Sequence, residues 1–317
     1  MKAKAGPARQ TLRRFFRSPG GIAGLALVLF AITVALLADV LAPGNPLALD
    51  EPALRRPSTA HPFGTDNLGR DLYTAVVHGV RTSLLVVLWT IVIASLIGLP
   101  LGIIAGYRTR WVGGGILRVT ELAQAFPRFY LGLLVVALFG GSTRNLILVL
   151  SLTSWTGLTR VARAETLAVK EREFVTAARA AGASDRRVLF RHVIPHVMPS
   201  AVVLVSLLAS RVILIEAGLS FLGLGDQTRV SLGFLASNST RFLQTAWWMS
   251  VAPGFAIAVA VLGFNLLGDG LSDALRPGSR PGRRPRQRRK AEEAAPAPER
   301  GPVSSEAGAE AAATGLA

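Results

Sequence analysis

The chain is 317 residues long and 50% hydrophobic, with a mean hydropathy of +0.44, a composition that excludes an ordinary soluble enzyme and makes lipid its main solvent. Its formal net charge of +16 does not argue for nucleic acid, because the basic residues fall between long apolar runs and at the two ends, where a membrane surface accounts for them. The absence of cysteine excludes a disulfide framework, a thiol nucleophile and a thiolate metal site, and with four histidines left no metal site is expected.

In chain order, a basic amino-terminal segment, 1–21, leads into the first apolar run and is expected to be cytoplasmic. Crossing the hydrocarbon core takes about 20 apolar residues. The run at 22–42 meets that length with Asp39 as its only charge, and is read as a first span rather than a cleaved signal because further spans follow. A loop covers 43–82, and the next span, 83–107, carries no charge. The third, 119–140, contains Glu121 and Arg128, while the fourth, 145–163, is built on the short uncharged run Asn145 to Thr159. A patterned loop, 164–196, is followed by spans at 198–222, which holds Arg211 and Glu216, and at 245–268, which is uncharged. The prediction is an all-α polytopic membrane protein with about six transmembrane helices, its transmembrane domain covering 22–277. After Pro277 the composition turns Arg/Pro-rich and then to Ala, Glu, Pro and Gly, so 278–317 is expected to be a disordered cytoplasmic tail, with Arg283 to Lys290 close to anionic headgroups.

Lys and Arg orient the spans. On one side this topology puts six at the amino terminus, three in 108–118, eight in 160–191 and nine after 275, 26 in all. On the other side it puts 7, with Arg128 and Arg211 inside spans. The asymmetry places both termini in the cytoplasm.

Within the 164–196 loop, Phe174, Ala177, Ala178 and Ala181 recur at helical spacing, with Arg172, Glu173 and Arg179 pointing elsewhere. Gly182 permits positive φ at the helix end, Ser184 and Asp185 suit the start of a second helix, and Pro195 is read as its stop. The pattern predicts a helix-turn-helix hairpin on the cytoplasmic face. Its small-residue face suits a partner's groove, or packing on the chain's own helices, and pattern alone leaves both open. The stretch Glu173-Phe-Val-Thr-Ala-Ala-Arg-Ala-Ala-Gly182, followed by Phe190-Arg-His-Val-Ile-Pro195, resembles the coupling-loop signature of ABC-importer permeases. The resemblance implies a coupling helix that enters a cleft on an ATPase subunit, with Glu173, Thr176, Ala177, Ala178, Gly182 and Pro195 as coupling residues. Thr176 stands where that family usually carries an acidic residue, and His192 where isoleucine is common.

Outside the loop, His61-Pro-Phe-Gly-Thr-Asp-Asn-Leu-Gly-Arg-Asp71 reads as a turn before a capped helix, with Asp66 as the cap. It is similar to the segment before the second span in the C-type permeases of the dipeptide/oligopeptide/nickel importer group. Glu216-Ala-Gly-Leu-Ser-Phe-Leu-Gly-Leu-Gly225 and Asn265-Leu-Leu-Gly-Asp-Gly-Leu-Ser-Asp273 resemble the same group. The stretch Asp226 to Gly233 departs from it, replacing a longer outward loop.

Ionisable groups inside a bilayer are costly, which makes Arg211, Glu216 and Asp269 candidates for a gate or an intersubunit contact; a purely structural pairing of Glu216, and a solvated or capping role for Asp269, are the other readings. There is no Gly-x-Ser-x-Gly elbow for a hydrolase and no Gly-x-x-x-x-Gly-Lys-Ser/Thr loop to cradle phosphate, so no catalytic residue is expected here. A secondary transporter would also show apolar spans and buried charges, but it gives no reason for a cytoplasmic coupling hairpin. The resemblance implies a permease subunit in the inner membrane that carries peptides, nickel complexes or glutathione-like solutes. It further implies a homologous second permease, two ATPase subunits that hold ATP-Mg, and an external substrate-binding protein, with no cofactor bound by this chain.

Overall fold

The computed structural model of the protein describes residues 7–108 and 111–275. The tail at 278–317 lies outside the described residues. Those that are described form helices, with no strand among them and one isolated antiparallel bridge, Thr65 to Asp71. In order they are α1 (Pro7–Phe15), α2 (Pro19–Leu36), α3 (Ala38–Leu41), α4 (Leu72–Tyr107), α5 (Trp111–Ala125), α6 (Arg128–Phe139), α7 (Thr143–Lys170), α8 (Glu173–Ala180), α9 (Asp185–Val188), α10 (Ile194–Phe221), α11 (Leu232–Ser239) and α12 (Trp248–Leu275).

The starts follow from sequence. Ser18, Asp71, Ser142 and Ser231 each accept a hydrogen bond from an amide in the first turn of α2, α4, α7 and α11 respectively. The cap of α4 is thus Asp71; Asp66, expected in that role, takes the amides of Leu68 and Arg70 within the preceding turn.

Among the described residues, four helical stretches are long and apolar enough to cross a membrane: Pro19–Leu36, Leu72–Tyr107, Asp185–Phe221 and Trp248–Leu275. The expected span at 119–140 is two helices bent by 76°, a break at Pro127, which opens α6 and whose ring keeps the preceding residue out of helical geometry. The expected span at 145–163 is part of the 28-residue α7, long enough but more polar than the four. The reason is that α7 buries Ser151, Thr153, Ser154, Thr156, Thr159 and Thr166, the last two against its neighbour. That neighbour is α4, whose Gly98, Gly102 and Gly106 form a stripe one turn apart. A Cβ at these three positions would lie 2.6 Å from the Trp155 carbonyl, 2.5 Å from the Thr159 carbonyl and 2.6 Å from Thr166 Cβ. The helices touch backbone to backbone, the close approach that small residues permit in membranes. Thr159 also donates across the seam to the Gly98 carbonyl (3.1 Å).

The larger apolar clusters among the described residues follow the length of the bundle. Val175, Val188, Val193 and Val197 gather around Ile103, Tyr107 and Val169 at one end. Val86, Val87, Leu146, Leu150, Val212 and Ile213 fill the middle. Leu72, Leu232, Trp248 and Met249 anchor the opposite end.

Candidate functional site

The predicted hairpin is α8, a turn, and α9. At eight residues, α8 is too short to persist alone, and packing has to hold it. Val175, 0% exposed, does so within the cluster of Ile103, Tyr107 and Val169. The turn is closed at Gly182, whose φ of +82° costs any residue with a Cβ about 1–2 kcal/mol. The amides of Gly182 and Ala183 return to the carbonyls of Arg179 (2.9 Å) and Ala178 (3.0 Å), satisfying the end of α8.

Pro195 does not stop the second helix. Asp185–Phe221 is one 37-residue stretch, and Pro195 sits at the start of α10. The wide π turn Leu189–Val193 just ahead of it accommodates a residue with no N–H to give to the preceding turn. The hairpin is therefore continuous with a membrane-length helix.

The hairpin is tied sideways to the end of α4. Tyr107 donates its hydroxyl to Asp185 (2.6 Å), Lys170 at the end of α7 donates to the Tyr107 carbonyl (3.1 Å), and the Arg179 guanidinium lies 5.8 Å from the Tyr107 ring centre. Tyr107, Lys170 and Val175 were not singled out by sequence. Val175 breaks no pattern by itself, and Tyr107 and Asp185 are 78 residues apart in the chain.

The face predicted to be buried or docked is open. Its Phe174, Ala177 and Ala181 are exposed and Ala178 is half-buried, and Glu173, Thr176 and Arg179 outside that face are exposed too, so inward packing falls to Val175 instead. Phe174 leans over His196, ring centres 4.8 Å apart.

The structure separates the three charges proposed for the spans. Arg211 and Asp269 are exposed, whereas Glu216 is 1% exposed. At five residues apart Arg211 and Glu216 face different sides of α10, and they form no ion pair. Glu216 instead accepts hydrogen bonds from Ser83 of α4 (3.0 Å) and Ser220 (2.8 Å), while Ser83 accepts from the Leu232 amide of α11 (3.4 Å). The carboxyl group clips three elements together.

At the end opposite the hairpin, the 226–231 loop is held by Asp226. Its carboxylate accepts from the amide and hydroxyl of Thr143 (2.9 and 2.8 Å) and of Thr228 (3.0 and 2.6 Å). Partial burial works against its charge, but the hydrogen bonds from Thr228 and Thr143 outweigh it and hold the carboxyl down at about 2. The loop before α4 is locked in a similar way: His61 lies between Asp71 (3.0 Å) and Glu51 (3.3 Å), and the Trp248 indole donates to the Thr65 carbonyl (3.2 Å).

Residues 98–281 match the family described as binding-protein-dependent transport system inner membrane component, and residues 6–58 match the N-terminal TM domain of oligopeptide transport permease C. The chain is 36% identical over 268 residues to the dipeptide transport system permease protein DppC of Alkalihalophilus pseudofirmus, covering 84% of this chain and 88% of that one. It is 36% identical over 268 residues to the glutathione transport system permease protein GsiD of Pectobacterium atrosepticum, covering 84% and 89%. Its fold is similar to that of a chain of the inward-facing MetNI methionine ABC transporter, with a TM-score of 0.55 at 15% identity, over 64% of this chain and 97% of the other.

Proposed function

Because this chain belongs to the family of binding-protein-dependent transport system inner membrane components, we propose that it is one of two permease subunits of an ATP-binding-cassette importer whose solutes are peptides or close derivatives. ATP-Mg is bound and hydrolysed by two partner ATPase subunits, and an external binding protein delivers the solute. The hairpin and both termini face the cytoplasm, in keeping with the excess of Lys and Arg on that side. The dipeptide and glutathione relatives support the solute class.

The observation that carries this reading is the hairpin itself: a helix pinned on one side by Val175, bare on the other at Thr176 and Ala177, and continuous with α10. Glu173, Thr176, Ala177 and Ala178 form the docking face, while Gly182 and Pro195 shape the hairpin behind it. An ATPase that closes on ATP displaces this face. The displacement enters α10 directly and α4 through Tyr107, and α7 follows α4 because the glycine seam leaves no room for sliding. The spans therefore rock as packed blocks between inward-open and outward-open states. In this reading the Glu216 clip keeps α4, α10 and α11 in one block.

The test is co-purification of the tagged chain from membranes, with an ATPase assay on what accompanies it. A second permease and ATPase subunits are expected, and are expected to be lost in the double variant Ala177→Arg, Ala178→Arg. A chain that arrives alone and moves solute in liposomes without ATP would be a secondary transporter, and the reading would fail.

A further inference from the structure

At the end opposite the hairpin, between the start of α7, the 226–229 segment and α4, lies an open cavity of ≈ 490 Å³ whose walls include Trp89, Ile147, Arg144 and Arg229, a size suited to a small ligand. Among the described residues neither guanidinium has an ion-pair or hydrogen-bond partner. The nearest carboxylate, Asp226, also lines the cavity, but its oxygens are engaged by four hydrogen bonds from Thr143 and Thr228. It is spent on loop structure and has little left for either an arginine or an incoming amine. The cavity therefore carries a surplus positive charge presented as two planar forks, the geometry that takes a carboxylate in paired hydrogen bonds. The indole of Trp89 and the side chain of Ile147 add an apolar wall beside it.

We propose that Arg144 and Arg229 form an entry site for the terminal carboxylate of the transported peptide, with Trp89 and Ile147 against its last side chain. The site rests on the peptide reading above and sharpens it. It reads the one anion that every free peptide carries, whatever its side chains. With the hairpin facing the cytoplasm, it lies at the end of the bundle from which solute arrives.

The test uses the whole transporter in proteoliposomes with its binding protein and ATP, and compares import of one dipeptide with that of its carboxyl-terminal amide. The ratio of the two rates does not depend on how much transporter has folded, and comparing wild type with variants cancels the binding protein's own preference. In Arg144→Gln, Arg229→Gln the ratio is expected to fall about tenfold, the equivalent of ~1.4 kcal/mol, and Arg144→Lys, Arg229→Lys is expected to restore part of it. An unchanged ratio in the glutamine variant, or equal import of both forms by wild type, overturns the site while leaving peptide transport standing. So does an anionic phospholipid that co-purifies with wild type and is lost in the glutamine variant with no change in the ratio. A transporter that imports no peptide at all overturns both the solute class and the site.

Discussion

The two ends of the bundle are built on different principles. The hairpin end relies on a few side chains, with Val175 in an apolar pocket and Tyr107 bonded to Asp185, and leaves much of α8 bare. The opposite end is knotted: Asp66, Asp71 and Asp226 each gather several donors, His61 bridges two carboxylates and Trp248 reaches back to Thr65. A surface completed by a partner needs exposed small residues and a light attachment. A loop that must hold its shape alone has to satisfy its own polar groups.

The sharpest way to break this contrast is to cut the connection between the ends. Gly102→Leu places a side chain against the Thr159 carbonyl and the Ala162 methyl group, and overpacking of that kind costs about 3 kcal/mol. Folded protein recovered in detergent should fall severely, with both ends loosened together; recovery at wild-type level would mean the seam is softer than its spacing suggests. Next comes Gly182→Pro, which removes the amide that bonds Arg179 and cannot adopt the positive φ. ATP-driven transport should fall by about tenfold or more, with membrane insertion unaffected, while Gly182→Asn, which tolerates that backbone, should keep most activity. Full transport in the proline variant would count against a coupling role.

A smaller effect is expected from Tyr107→Phe, which deletes the bond to Asp185 at a cost of about 1 kcal/mol. Hydrogen exchange should quicken across α8 and α9 and stay unchanged in the loop before α4. The smallest response is to acid. With the Asp226 carboxyl lowered from 3.8 to about 2, the stability it adds is complete above about pH 4 and is lost as pH falls through about 2. Protection of the 226–231 loop should be level from pH 7 to 5, and a loss in that range would show that something other than Asp226 holds it.

Sequence made much of this legible for identifiable reasons. Four membrane-length stretches stood out because each is a long apolar run, and Gly182 because a helix end wants a residue free to take positive φ. The full extent of α7 was hidden by its own packing, since the hydroxyls of Thr153, Thr159 and Thr166 bond to backbone carbonyls and read as polar in any hydropathy sum. The bend at Pro127 sat inside a run that otherwise passes as one span. On the hairpin, spacing picked out Phe174, Ala177 and Ala181, yet burial fell to Val175, because on a helix of eight residues a single β-branched side chain is enough to anchor it. The partner of Glu216 on α4, Ser83, was out of reach of sequence pattern because the two are 133 residues apart.

The notched surface of α4 also bears on how the protein is made. Chains emerge amino terminus first, so the stripe of Gly98, Gly102 and Gly106 enters the bilayer while α7 is still unsynthesised. For that interval α7 does not yet fill the groove that Trp155, Thr159 and Thr166 will occupy. When α7 follows, it meets a shaped template already in place. A segment too rich in hydroxyls and arginines to favour hydrocarbon unaided is drawn in by docking on an earlier one, so the order of synthesis becomes part of how the sequence specifies topology.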